Sequence, residues 1–321
     1  MAGPRPGNPI ELENVTKRFG DHTAVDTLSV VVPPGALLGV IGPNGSGKTT
    51  TLRMILSILS PDAGRVRVLG RTNPPSADDR ISYLPEERGL YKKMKVRHQL
   101  GYLARLKGVP SAVVRRRVDA WLERLDLAAW ADKRIETLSK GMAQKIQVAG
   151  AIINEPDILI LDEPFSGLDP VNLETVRGLL LEQRERGATI LLSTHDMDRA
   201  ETLCERILMI YQGGKVLDGT LQEIQDTFGR DTVRIRHAGG AAVVRELAGD
   251  VPLRDLGNVQ EIRGLDDPQG FLQACLRRGA VEFFEEAPPS LHDIFIRKAQ
   301  PDAEALRDLE TAGRAAPEVA S

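Results

Sequence analysis

The chain is poor in cysteine, in aromatic rings and in long apolar runs, and its charges nearly balance. Two cysteines among 321 residues, Cys204 and Cys275, could form one disulfide at most. Scattered thiols in a chain of this size fit a reducing, cytosolic setting. Aromatic residues make up 4% and hydrophobic residues 41%, so aliphatic side chains must fill the core. A formal net charge of -3 argues against a protein held on a polyanion by charge, and no nucleic-acid partner is expected. Residues 1–9 are rich in Pro and Gly and lack an apolar centre, which predicts a flexible N-terminus rather than a secretory leader. The most apolar region, residues 28–41, is interrupted by Pro33-Pro34 and is too short to span a bilayer. The chain is expected to be soluble by itself.

Against these absences stands one run that decides most of the chemistry, Gly42-Pro43-Asn44-Gly45-Ser46-Gly47-Lys48-Thr49-Thr50. It fits G-x-x-x-x-G-K-[ST] and lies between the apolar strand pattern 37–41 and the helical pattern 51–59, the context this motif needs. Glycines let the backbone turn several N–H groups toward one polyanion, and the helix N-terminus adds partial positive charge. Lys48 is predicted to reach the β- and γ-phosphates, and the Thr49 hydroxyl to hold Mg²⁺. The chain is expected to bind a nucleoside triphosphate.

Asp162-Glu163 directly follows the apolar strand pattern 158–161, at the strand end where α/β sheets bind ligands. Asp162 is positioned to hold Mg²⁺ through water, and Glu163 to orient and deprotonate the attacking water. His195 follows another apolar strand pattern, 189–193, and can reach a γ-phosphate while holding Glu163. Leu138-Ser139-Lys140-Gly141-Met142 precedes a helical run, so Ser139 is a natural helix cap whose N–H groups also suit an anion.

The remaining patterns organise the chain. Residues 10–19, 28–32, 65–69 and 81–84 read as strands, with a turn at Gly20-Asp21-His22. From about 90 to 155 the chain reads as a helical insert, and 171–186 as a helix stopped by Gly187. Residues 208–211 and 215–217 read as a hairpin through Gly213-Gly214. Alternating strands and helices imply an α/β fold with a mainly parallel sheet. Beyond residue 226, weaker strands at 233–237, 259–262 and 281–284 with a helix at 269–278 predict a small α+β domain over 227–300. Residues 301–321 read as a disordered tail.

Taken together, these motifs resemble the nucleotide-binding subunit of an ATP-binding-cassette (ABC) transporter over about residues 10–219. The resemblance implies a P-loop NTPase cassette with an antiparallel β part and a helical insert. It makes Gly42–Thr49 the Walker A loop, Ile158–Asp162 the Walker B strand, Glu163 the catalytic glutamate and His195 the switch histidine. Ser139 and Gly141 match the signature motif, which contacts ATP on an opposing subunit, and Ser166-Gly167-Leu168-Asp169 matches the D-loop. Phe19 falls where the family stacks an aromatic ring on adenine, although its position also suits a core residue. The signature departs from its usual form at Lys140 and Met142, and Glu86 replaces the usual glutamine that meets the metal. A carboxylate is also a hard oxygen ligand, so Glu86 joins Thr49 and Asp162 as a candidate for Mg²⁺. The run Tyr83-Leu84-Pro85-Glu86-Glu87-Arg88-Gly89-Leu90-Tyr91 is similar to a subgroup of sodium-extrusion and drug-export ATPases. The resemblance therefore implies an ATPase that pairs with a second ATPase subunit and serves a separate ABC-2-type permease. That permease would contact the segment 86–94 through Tyr91 and Met94, and would hold the chain at the inner face of the cell membrane. The rival readings are a soluble ABC ATPase acting on nucleic acid or ribosomes, and a cassette that binds ATP without hydrolysing it.

Overall fold

The computed structural model describes residues 7–72, 78–87 and 89–300, and the expected tail at 301–321 lies outside them. The expected flexible start at 1–9 lies mostly outside them too, but the Pro9 carbonyl accepts a hydrogen bond from Leu69 N–H. The chain divides into two compact units between Gly219 and Thr220.

The first unit opens with β1 (Ile10–Phe19) and β2 (His22–Val32), an antiparallel pair. The sequence pattern marks only the second half of β2. Bulges in the pairing and a left-handed Thr27, φ 49°, break the alternation that reveals a strand. Next come β3 (Leu37–Ile41), buried throughout, and α1 (Lys48–Ile55). That helix begins three residues before its predicted start and ends early, where Ser57 takes φ 54°. β4 (Ala63–Val68) and β5 (Arg71–Thr72) complete an antiparallel sheet of order β2-β1-β4-β5.

β6 (Ile81–Leu84) leads into the helical insert: α2 (Val96–Leu106), α3 (Ser111–Arg124) and α4 (Lys140–Ile152). The chain then returns through β7 (Ile158–Asp162), α5 (Pro170–Glu185), β8 (Thr189–Thr194), α6 (Met197–Leu203), β9 (Arg206–Tyr211) and β10 (Gly214–Thr220). With β3 these five strands form a six-stranded sheet of order β10-β9-β3-β8-β7-β6, parallel from β9 to β6. β3, β7 and β8 are wholly buried, which is why their sequences are apolar without alternation. Their register pairs Ile41 with Thr194 and Asp162 with Ser193. The loop after β3, the two acids and His195 therefore emerge side by side at the C-terminal ends of three neighbouring central strands.

In the second unit Thr220 caps α7 (Leu221–Phe228) in a reciprocal capping box with Glu223. The expected boundary at 226 thus falls inside a helix, and the unit begins seven residues earlier than predicted. There follow β11 (Thr232–His237), α8 (Gly240–Ala248), β12 (Leu253–Asp255), β13 (Gln260–Arg263), α9 (Pro268–Arg278), β14 (Val281–Ala287) and α10 (Leu291–Ala299). The antiparallel order β12-β13-β11-β14, with helices following β11 and β13, is a split β-α-β arrangement. Its own core is built from Val233, Ile235, Val244, Ile262, Phe271 and Cys275.

Candidate functional site

The loop between β3 and α1 is shaped by glycines that no other residue can replace without movement. Gly42 has φ 152° and a Cβ there would lie 2.1 Å from the Ile210 carbonyl oxygen. Gly47 has φ 107° and a Cβ there would lie 2.3 Å from the Ala24 carbonyl oxygen. Asn44 and Gly45 form the exposed tip, while Pro43 and Ser46 are buried. Lys48 is buried and its Nζ donates to the carbonyl oxygens of Gly42, at 2.8 Å, and Pro43, at 2.9 Å. The Ser46 hydroxyl is buried without a hydrogen-bond partner. N–H groups at the first turn of α1, which carries Lys48, Thr49 and Thr50, have no carbonyl within the helix to accept from them. An orphaned hydroxyl, a helix N-terminus and a buried ammonium in one cradle fit a polyphosphate.

Asp162, 2% exposed, faces this loop. The Thr49 hydroxyl lies 2.9 Å from Asp162 Oδ2 and 3.2 Å from Oδ1, so the loop and the β7 acid are joined directly. Two hard oxygen groups at this separation fit a magnesium ion. Ser193 Oγ donates to Asp162 Oδ1, and Tyr83 Oη lies 3.5 Å from Oδ2. Burial, reinforced by the Asp162 charge, pushes the Tyr83 hydroxyl up to about 12, so it stays a donor.

Glu163 has φ 49°, a left-handed conformation uncommon outside glycine. The kink turns its carboxylate to His195, whose Nδ1 lies 2.6 Å and backbone N 2.9 Å from Oε1. Thr194 Oγ1 donates to Oε2 at 3.3 Å. The hydrogen bond to Glu163 raises the His195 pKa above its ordinary value, against the opposing effect of burial. A carboxylate held by an imidazole can take a proton from water, and its exposure of about a tenth leaves one open side.

Other predicted residues lie apart from this cluster. Ser139 caps α4, accepting from Met142 N–H at 3.2 Å. Gly141 is buried, and a Cβ there would meet Asn172 Nδ2 at 2.3 Å. Asn172 N–H in turn donates to Asp169, the cap of α5, so Asn172 lies between the signature run and the D-loop run. Glu86 is exposed in the bend after β6, and the β6 side chain that reaches Asp162 is Tyr83 instead. Phe19 is 48% exposed with Lys17 Nζ 5.6 Å from its ring centre, so it is not a core residue. Sequence reasoning missed Ser193, Tyr83 and Thr194, and also Gln144, whose amide donates to Pro164 O at 2.8 Å beside the acids. Register supplies the missing signal, because it pairs Ser193 with Asp162.

Residues 25–166 match the family model for ABC transporters, and residues 219–299 match that for the C-terminal domain of DrrA1-3-like ATP-binding proteins. An uncharacterized ABC transporter ATP-binding protein of Bacillus subtilis, YhaQ, is 42% identical over 291 residues, covering 90% of this chain and 98% of that one. The chain belongs to the ATP-binding proteins of ABC transporters. Such a subunit hydrolyses ATP to power transport and works with a permease. Nod factor export ATP-binding protein I of Paraburkholderia xenovorans is 37% identical, covering 91% of this ABC subunit and 97% of that protein. The solved structure of an ATP-binding subunit of an ABC transporter superposes with a TM-score of 0.64 at 30% identity, over 68% of this chain and 93% of that one.

Proposed function

We propose that the chain is the ATP-hydrolysing subunit that energises export of a substrate through a separate ABC-2-type permease. The observation that carries the reading is Glu163 Oε1 held 2.6 Å from His195 Nδ1, beside a buried Asp162 that is bonded to Thr49 of the phosphate loop. In this reading Lys48 and the Gly42–Thr50 backbone grip the phosphates, and Phe19 stacks on the adenine. Thr49 and Asp162 hold Mg²⁺, with Glu86 as the third oxygen donor. Bound there, the ion would neutralise charge on the phosphate oxygens. Glu163 takes the proton of the attacking water, and His195 keeps that carboxylate aimed.

The direction of transport is supported by the relatives named for Nod factor export and by the DrrA1-3-like C-terminal match. Among the described residues no helix is long and apolar enough to cross a membrane. In this reading a separate permease holds the subunit at the inner face of the membrane. An apolar patch supports its docking near the segment 86–94: Tyr91 is 56% exposed, stacks edge-on against Tyr102, and Leu106 is exposed nearby on α2. Met94 is half-buried there. Two subunits sandwich two ATP molecules, each between one phosphate loop and the other subunit's Ser139 and Gly141. No nucleic acid takes part, in keeping with the net charge of -3.

The test uses Glu163→Gln, which keeps the side-chain shape but cannot accept the proton. With ATP and Mg²⁺ the variant should bind nucleotide, stop turnover and accumulate as a dimer in size-exclusion chromatography with light scattering. Ser139→Arg in the same background should return it to monomer without releasing ATP. Continued hydrolysis by Glu163→Gln would reject the assigned base, and a dimer indifferent to Ser139→Arg would reject the sandwich.

A further inference from the structure

Consecutive residues of a regular strand point to opposite faces of the sheet, so Asp162 and Glu163 cannot serve one site unless the chain kinks between them. The left-handed Glu163, φ 49°, is that kink. Such a backbone persists only where its surroundings hold it. Ser193, wholly buried and paired with Asp162 in the β7–β8 register, provides the hold. Its hydroxyl donates to Asp162 Oδ1 and accepts the Glu163 N–H at 3.2 Å, and its carbonyl accepts the same N–H at 3.1 Å. A buried hydroxyl is costly unless bonded; this one lies 3.5 Å from the Leu161 carbonyl oxygen, and its closer bonds go to Asp162 and Glu163. Tyr83 approaches the other Asp162 oxygen from β6, the strand that leads into the segment ending at Met94.

We propose that Ser193 is a positioning residue for ATP hydrolysis, fixing Asp162 and Glu163 relative to each other, with Tyr83 bracing the same carboxylate from the opposite neighbouring strand. The inference rests on the functional reading above and adds to it a residue that never touches ATP. Asp162 keeps its Thr49 contact without Ser193, so the phosphate loop stays formed. What is lost is the angle between the acids. Turnover should therefore suffer while nucleotide binding does not.

The experiment compares Ser193→Ala, Ser193→Thr and Tyr83→Phe with the wild-type chain. ATP affinity is measured by equilibrium binding in EDTA, and turnover with Mg²⁺ gives kcat and KM. Ser193→Ala should lower kcat about tenfold to a hundredfold, the usual cost of removing one hydrogen bond to a charged group, with KM and metal-free affinity within about twofold. Ser193→Thr, which restores the hydroxyl, should recover most of kcat, and Tyr83→Phe should cost less than Ser193→Ala. Unchanged kcat in Ser193→Ala, or a parallel loss of kcat and metal-free ATP affinity, would overturn the proposal. If alanine prevents folding, Ser193→Cys keeps the volume but bonds weakly; wild-type kcat in that variant overturns the proposal equally. A wild-type chain without ATPase activity would instead reject the functional reading itself.

Discussion

The Glu163 carboxylate and the His195 imidazole face each other at 2.6 Å across the ends of β7 and β8. The hydrogen bond to Glu163 favours the imidazolium and raises the His195 pKa above its ordinary 6.5. A raised folded-state value means that the pair's contribution to stability is complete below about pH 6.5 and is lost as pH rises through the folded value. Partial exposure of His195 screens the effect and keeps it small. In a proton NMR titration the His195 ring should change charge above pH 6.5, and Glu163→Gln should bring the midpoint back toward that value. An unmoved midpoint would mean that the two side chains do not interact in solution.

Much of this site was readable because each part leaves a local trace. Gly42–Thr50 combines close-approach glycines with a lysine, and buried parallel strands such as Ile158–Asp162 show as unbroken apolar runs. What was not readable depends on contacts distant in sequence. Ser193 and Tyr83 look like ordinary strand residues until register sets them against Asp162. The first half of β2 was hidden by bulges and by Thr27, and α8 by a start at Gly239-Gly240 that reads as loop. The domain boundary was misjudged because Thr220 both ends β10 and caps α7, with no linker between them, although the capping box and the helical spacing of Leu221, Ile224 and Phe228 mark that helix in the sequence.

Phe19→Ala tests the base-stacking role. The ring is 48% exposed at the end of β1, so its removal should cost little fold stability. Stacking on a base contributes about 1–3 kcal/mol, so ATP affinity should fall by roughly fivefold to a hundredfold, measured with a fluorescent nucleotide. A lower melting temperature with unchanged affinity would return Phe19 to a structural role.

Truncation after Thr220 tests whether the second unit completes the nucleotide site. Lys48, Asp162, Glu163 and His195 all lie in the first unit, and the second has a core of its own. The shortened chain should fold and bind ATP within a few-fold of the full chain. A soluble truncation that does not bind ATP would assign the second unit a part in the site.

Lys107 offers a pH signature in the opposite sense to His195. At the end of α2 its half-buried ammonium donates to Ser82 Oγ of β6 at 2.7 Å. Ser82 in turn meets Asn154 beyond α4 at 3.2 Å, so this node ties the helical insert to the edge strand of the sheet. Burial, only partly offset by Asp79, pushes the Lys107 pKa down to about 8, from an ordinary 10.5. Between those two values the unfolded chain binds more protons at this site than the folded one. Stability therefore rises with pH across that interval, by at most about 3 kcal/mol and, once solvent screening of the half-buried ammonium is counted, by on the order of 1–2 kcal/mol. Lys107→Met removes the titration along with the hydrogen bond, whose loss adds an offset that does not vary with pH. The difference in melting temperature, variant minus wild type, should thus be most positive at and below pH 8 and decline steadily toward pH 10. A difference that stays flat across that range would show that Lys107 keeps its charge in the folded protein and is solvated more fully than its burial implies.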